Sequence, residues 1–367
     1  MMKFLNFIIS KRLHTDEVEH TLQKLLYKNK DQKPKRYANR VAVIQKQIKP
    51  VKHVGHFIES IYCLVKHATD KGATYVVFPE YIFFDLFGIL PFFHQINKHL
   101  NKRNLTKKAE VENSVHQSKD NWLLYHLFDL FAIPTEKVIL HTMKHFAKYF
   151  SIYIYTGSFI HKENKQLYNV GSIIDPNGSI ICTQRKVHLT DFEDNIGLAR
   201  GNQFDVLEAP IGKIAAPVCM DATYFETFHL VRKKGANIVI IPIANNEPYN
   251  QWKALRGIWP RVQETYVYGL KSALTGSIGG MHFTGKAGIF APMEMTTNHD
   301  GVIAMTEDSV GDEIVIADLD IKRLIIEREK AQYKNDVNPI FEQNYYSKTY
   351  GKFKKVNKSS NVINNES

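Results

Sequence analysis

Residues 212–243 read GKIAAPVCMDATYFETFHLVRKKGANIVIIPI, and this stretch decides the fold. GKIAAPVC is a short apolar run of strand character. TYFETFHLVRKKGA follows as a helix that ends before Gly235, and NIVIIPIA is again apolar and rich in β-branched residues. A strand–helix–strand unit whose strands are apolar enough to be buried on both faces belongs in an α/β sheet.

The alternation extends in both directions. Upstream, VAVIQKQI (41–48) is a strand, HFIESIYCLVKHATDKG (56–72) a helix closed by Gly72, and TYVVFPE (74–80) a second buried strand. TEKVILHTMKHFAKYF (135–150) is a helix leading to the strand SIYIYTGSFI. The hairpin LYNVGSIIDPNGSIICTQRK then turns at Asp175-Pro-Asn-Gly178. Downstream, WKALRGIWPRVQETYVYGLKSAL reads as a helix broken at Pro260 and running into a strand; GKAGIFAP and DEIVIADLD are terminal strands. Two successive sets of strand–helix–strand suggest an internal duplication. Residues 81–134 form an aromatic-rich excursion with a polar middle from Lys98 to Asp120, suited to a lid or to a dimer contact. Before the sheet, Val18, Leu22, Leu25 and Leu26 fall at helical spacing after a candidate N-cap, Thr15, and DQKPKRYANR follows as a linker. The expected organisation is a helical extension and basic linker over 1–38, one domain over 39–347, and a basic disordered tail over 348–367.

Charge separates these parts. The ends, 1–52 and 348–367, carry +9 and +4 of the net +11, so residues 53–347 sum to −2. The body is near neutral, which argues against nucleic acid as a partner. Three widely spaced cysteines, Cys63, Cys182 and Cys219, suit a reducing compartment, and no CxxC pair suggests a metal site. No apolar run approaches the ~20 residues of a membrane span, and the opening MMKFLNFIIS lacks a small-residue cleavage site. The expected location is the cytoplasm.

Chemistry gathers at strand ends. Cys219 ends an apolar strand just before a helix, where N–H groups and the helix dipole favour a thiolate; the same position also suits an inert buried thiol. Glu80 ends YVVFP, and a buried carboxylate has its pKa raised toward general-base values, although a surface glutamate can end a strand too. Lys186 closes the strand before VHLTDFED; a fixed cation beside a thiol stabilises both thiolate and oxyanion. Glu193 follows seven residues later, with Asp194 its rival as the orienting carboxylate.

Together the order Glu, Lys, Cys, as FPE ending at Glu80, RKVHL around Lys186 and CMDATYFE from Cys219, resembles the nitrilase superfamily of carbon-nitrogen hydrolases. The likeness covers roughly residues 40–330 and includes Tyr168-Asn169 before the hairpin, Gly235-Ala236 before NIVIIP, and Arg261 to Glu264 in the late helix. Lys186, His188, Thr190 and Glu193 also match the K-x-H-x-T-x-x-E stretch of an uncharacterised amidohydrolase group, some of whose members carry a preceding acetyltransferase-like domain; here about 40 residues precede the match, so that domain is expected to be missing.

The resemblance implies a four-layer α-β-β-α sandwich that dimerises across a helical layer, and a small-molecule amide as substrate. It implies Glu80 as general base and acid, Cys219 as nucleophile, Lys186 as oxyanion stabiliser and Glu193 as supporting carboxylate, with no metal or organic cofactor. Met220 stands where many amidases have an aromatic residue and nitrilases a Trp, and Thr223 to Glu226 lacks the usual proline, so substrate contacts differ around the cysteine. Met220, Asn245 and Tyr81 are the candidate substrate-binding residues. Asp221 is expected to cap the following helix and Glu264 to support Glu80 or its loop. Hydrolysis of an amide is the first expectation; nitrile hydrolysis, and acyl transfer from the same thioester to an amine, are the alternatives.

Overall fold

The computed structural model describes residues 2–28, 36–95, 97–98, 114–331, 338, 340–341 and 343–344. The chain divides into two units, Met1–Ile325 and Ile326–Ser367, and the sheet and the site lie in the first. Residues 31–35 of the linker and all of the 348–367 tail read from sequence fall outside the described residues.

The strands are β1 (Arg40–Gln47), β2 (Tyr75–Val77), β3 (Tyr153–Glu163), β4 (Gln166–Ile174), β5 (Ile180–Arg185), β6 (Val206–Ala209), β7 (Gly212–Ala215), β8 (Ile238–Ile243), β9 (Tyr268–Ile278), β10 (Met281–Phe283), β11 (Gly288–Phe290), β12 (Val302–Met305) and β13 (Glu313–Asp318). They run in the order β5-β4-β3-β2-β1-β9-β8-β7-β6, with β10 and β11 on β9, β12 on β11 and β13 on β1. The halves join where Gln45–Gln47 of β1 pair in parallel with Ala273–Thr275 of β9.

Side-chain alternation along these strands creates the layers. In β1, Val41 and Val43 enter a core shared with Ile238 and Ile240 of β8, so the two halves face each other. The intervening Ala42 and Ile44 enter an outer core, as do Val239 and Ile241 on the other side. The helices are α1 (Met2–Arg12), α2 (Thr15–Lys28), α3 (Val54–Asp70), α4 (Ser114–Phe150), α5 (Asp191–Ile196), α6 (Phe225–Lys233), α7 (Gln251–Leu255), α8 (Trp259–Thr265) and α9 (Ile321–Lys330). Of these, α1 to α4 cover the outer face of the first half, and α6 and α8 that of the second. The architecture is the expected four-layer α-β-β-α sandwich.

Several local expectations change. Residues 2–12, read only against secretion, form a helix whose Ile9 is buried with Leu13, Val18 and Leu22 in the first outer core. The α2 helix is fixed to α4 by Glu19, whose carboxylate lies 2.9 Å from His141 and 3.7 Å from His145. The helix expected from Thr135 starts much earlier, because α4 runs through Pro134. Its buried stripe of Phe128, Phe131, Val138, Ile139 and Met143 is continuous across the proline, and the Thr135 hydroxyl donates to the Phe131 carbonyl at 2.8 Å. Much of the described aromatic excursion is core, with Phe83, Phe84, Phe87, Phe128 and Phe131 joined by successive ring contacts, while Phe92 and Trp122 are exposed. Pro260 sits in the first turn of α8, where its missing N–H costs nothing, so it opens that helix instead of breaking one.

Candidate active site

Three strand ends converge on one side of the sheet pair. Past β2, Pro79 and Glu80 lie against β3, with Ser158 N–H donating to the Pro79 carbonyl at 3.2 Å. The approach is so close that a methyl group at Gly157 would sit 2.1 Å from that carbonyl oxygen, and Gly157 also has φ +73°. The chain then turns at Tyr81, a left-handed residue with φ 53°. Past β5, the Lys186 backbone is held on both sides: its N–H donates to the Asn169 carbonyl at 2.8 Å, and its carbonyl accepts from Gly201 at 2.7 Å.

Past β7, Cys219 adopts φ 46°, a strained conformation for a non-glycine residue, and opens a 3₁₀ turn over Cys219–Thr223. The α-helix begins only at Phe225. The helix N-terminus expected beside the sulfur is therefore displaced, and the backbone N–H of Ala244, just past β8, takes over part of the pull toward the thiolate. Asp221 does not cap that helix either. Its buried carboxylate accepts from Val187 N–H at 3.1 Å, His188 N–H at 2.6 Å and Val218 N–H at 2.8 Å, tying the lysine loop to the cysteine loop. Burial pushes its pKa up to about 7 against the pull of these three donors.

The four side chains expected to act together do meet. Lys186 Nζ donates to Glu80 Oε1 at 2.8 Å and to Glu193 Oε1 at 2.9 Å, and all three side chains are about 1% exposed. The Cys219 sulfur lines the same cavity as Glu80 and Lys186 and lies near enough to Glu80 to pull its carboxyl pKa down in part. Glu193 fixes the far side. With Thr190 it forms a capping box at the start of α5, its Oε2 accepting from the Thr190 N–H at 2.9 Å, while its Oε1 accepts from Lys186, Asn169 at 3.0 Å and the Tyr81 hydroxyl. Asp194, the rival, faces outward and pairs with Arg200 at 2.8 Å.

Burial sets the protonation states. Desolvation raises the Glu80 carboxyl, Lys186 lowers it in part, and the charge of Glu193 raises it again, so its pKa lies above the ordinary value. For Lys186 burial alone would lower the ammonium, but the facing Glu80, Cys219 and Glu193 outweigh it and its pKa is raised. Glu193 ends lowered, because the Lys186 charge and its hydrogen bonds overcome desolvation. The Cys219 thiol is raised by desolvation and by Glu80. The resting cluster is thus a fixed ammonium and a fixed carboxylate beside a thiol and a second, more basic carboxyl group.

Two partners escaped the sequence reading. Asn169 was noted only as part of a pattern, yet its Nδ2 bridges Glu80 at 2.9 Å and Glu193; an amide inside the otherwise apolar strand LYNVGSII was the available signal. Thr190 and Glu193 are spaced as T-x-x-E, the capping-box spacing. Of the candidate substrate contacts, Met220, Asn245 and Tyr81 all line a cavity of about 270 Å³ that opens onto Cys219, although the Tyr81 hydroxyl is committed to Glu193. Glu264 lies outside the site; it pairs with Arg261 at 2.7 Å on the surface and does not support Glu80.

The carbon-nitrogen hydrolase family model matches residues 40–325, most of the chain. The chain belongs to the carbon-nitrogen hydrolase family. Within that family, "Probable hydrolase YhcX" of Bacillus subtilis is 24% identical over 298 residues, 79% of this chain and 51% of the relative. The deaminated glutathione amidase of Dictyostelium discoideum is 30% identical over 153 residues, 38% of this chain and 52% of the relative. The chain thus spans about half the length of these curated relatives. Among solved structures, an amidase from Nesterenkonia sp. AN1, in a form bearing the acetamide moiety of fluoroacetamide on its active-site cysteine, aligns with a TM-score of 0.57 at 16% identity, covering 86% of this chain and 99% of that one. That likeness is one of fold. No helix among the described residues is long and apolar enough to cross a membrane.

Proposed function

We propose that this carbon-nitrogen hydrolase family member cleaves the C–N bond of a small linear amide through a thioester on Cys219. The observation that carries the reading is the single buried cluster in which Lys186 bridges Glu80 and Glu193 while the Cys219 thiol faces Glu80. The family match and the amidase relatives support the same class of reaction.

The geometry suggests the sequence of events. Glu80 takes the thiol proton as sulfur attacks the amide carbon; Lys186 and the Met220 N–H hold the oxyanion. The C–N bond then breaks, and the proton on Glu80 passes to the leaving nitrogen, which departs as ammonia or an amine. Water attacks the remaining thioester, its proton going to Glu80; the carboxylic acid leaves, and Glu80 returns a proton to the sulfur. Glu193 keeps Lys186 charged throughout, and Met220 and Asn245 contact the substrate. In this reading the protein works in the cytoplasm as a homodimer, a state that analytical ultracentrifugation reads directly.

Ammonia release across a panel of amides, carbamoyl compounds and nitriles tests the proposal, with Cys219→Ala as control. The expected result is release from at least one amide, reduced on the order of 10⁴-fold or more by the substitution. Equal rates with and without the thiol contradict it. Adding an amine separates hydrolysis from acyl transfer, since transfer yields a new amide in place of the acid.

A further inference from the structure

Away from the active site, the described residues bring together three side chains of metal-ligating type: Glu19 of α2 with His141 and His145 of α4. His141 and His145 are one helical turn apart, so both rings leave α4 on the same face, with centroids 4.3 Å apart. Glu19 meets them from the neighbouring helix. Its Oε2 lies 2.9 Å from His141 Nε2 and 3.7 Å from His145 Nε2, and one atom from each side chain falls within 4.8 Å of the others. All three side chains are half-buried, so an ion can enter from solvent. None of them lines the cavity that opens onto Cys219, whose walls include Lys186 and Lys271.

One imidazole is enough to fasten a carboxylate, and His141 supplies that hydrogen bond. His145 is too far from Glu19 to add a second, yet its ring is held in place. Its Nδ1 lies 2.9 Å from the His141 carbonyl, which only accepts, so that nitrogen carries the proton and the neutral ring turns the Nε2 lone pair toward Glu19. A lone pair facing a carboxylate oxygen calls for a positive charge between them. On the other side Gln23 Nε2 donates to Glu19 Oε1 at 3.1 Å, which leaves Oε2 for the shared centre. Such outer partners orient the ligands of a metal site. Two imidazole nitrogens and one carboxylate oxygen suit a divalent ion of the zinc type and are too poor in oxygen for calcium or magnesium. Bonds of ~2.0–2.1 Å to one tetrahedral centre set ligand atoms ~3.3 Å apart, between the two separations from Glu19 Oε2.

We propose that Glu19, His141 and His145 bind one divalent transition ion, with zinc as the type, and that the ion clamps α2 onto α4. Glu19 comes from one helix and both histidines from the other, so binding favours the docked arrangement over any in which α2 has left. The site stands apart from the thiol chemistry and holds whether or not Cys219 turns over an amide.

The test is calorimetric titration of the untagged, chelator-treated full chain with zinc chloride, with cobalt as a second probe whose visible absorption reports its ligands. The expected result is one equivalent bound, with slower amide hydrogen exchange over residues 15–28. His145→Ala keeps the Glu19–His141 hydrogen bond and so keeps the helix contact; it should weaken zinc at least ~100-fold, and Gln23→Ala, an exposed position, should weaken it ~10-fold. A purely structural pair predicts no zinc effect from either variant. Neither heat nor cobalt bands in the wild-type protein, or an affinity unchanged in both variants, overturns the site. Binding that leaves exchange over residues 15–28 unaltered means that Glu19 is not a ligand, and overturns it as well.

Discussion

The two ends of the cavity hold the same residue type at the same depth and treat it in opposite ways. Lys186 is 1% exposed and its ammonium is raised, because Glu80 and Glu193 lie within 3 Å of it. Lys271 is 2% exposed and its ammonium is lowered to about 8, by burial first and by the nearby Lys286 charge, with no carboxylate among the described residues to offset them. Burial alone therefore does not decide what a buried lysine is; the number of facing carboxylates does. At the Cys219 end the ammonium is balanced by two carboxylates, while at the β9 end no carboxylate among the described residues faces it.

Substitution should expose this difference most sharply. Lys186→Met leaves two buried carboxylates facing each other, so we expect turnover to fall by at least about 10³-fold, and stability to drop by about 3–5 kcal/mol in denaturant titration. Lys271→Met removes a buried charge that faces no carboxylate among the described residues, and is expected to leave stability unchanged or to raise it by about 1 kcal/mol. If both substitutions destabilise alike, the contrast between the two ends is wrong.

The pH dependence gives smaller effects with definite signs. In the proposed mechanism Glu80 must be ionised to accept the thiol proton, and its pKa is raised, so the acid limb of kcat/KM should lie above the ordinary glutamate value, with activity lost as pH falls through it. For Lys271 the folded value, about 8, lies below the unfolded one, 10.5. Between these values the unfolded chain holds the extra proton, so this residue makes stability rise with pH across that window. Melting curves of the wild-type protein and Lys271→Met should diverge there, the variant lacking the rise.

How much of this was legible follows from what each residue depends on. The strands around Val41–Ile44 and Ile238–Ile243 are apolar on both faces, and that alone placed them inside a layered sheet. Glu80, Lys186 and Cys219 were visible as reactive residue types at strand ends, although only the resemblance joined them. Tertiary packing hid the rest. The helix through Pro134 is held by a buried aromatic stripe that local propensity does not weigh, and two of the three backbone partners of Asp221 lie more than 30 residues away. Lys271 stood in plain view as a charge within YVYGLKSAL, but its isolation depends on which side chains are absent around it, and no linear pattern records that.

The central claim is that the sulfur of Cys219 carries the acyl group. Rapid acid quenching of the protein with a turned-over amide, followed by peptide mass mapping, reads it directly. The expected result is an acyl mass increment on the peptide containing Cys219, discharged by hydroxylamine and missing from Cys219→Ala. An increment on another residue, or full turnover with no acyl mass on that peptide under conditions that preserve thioesters, would contradict the account.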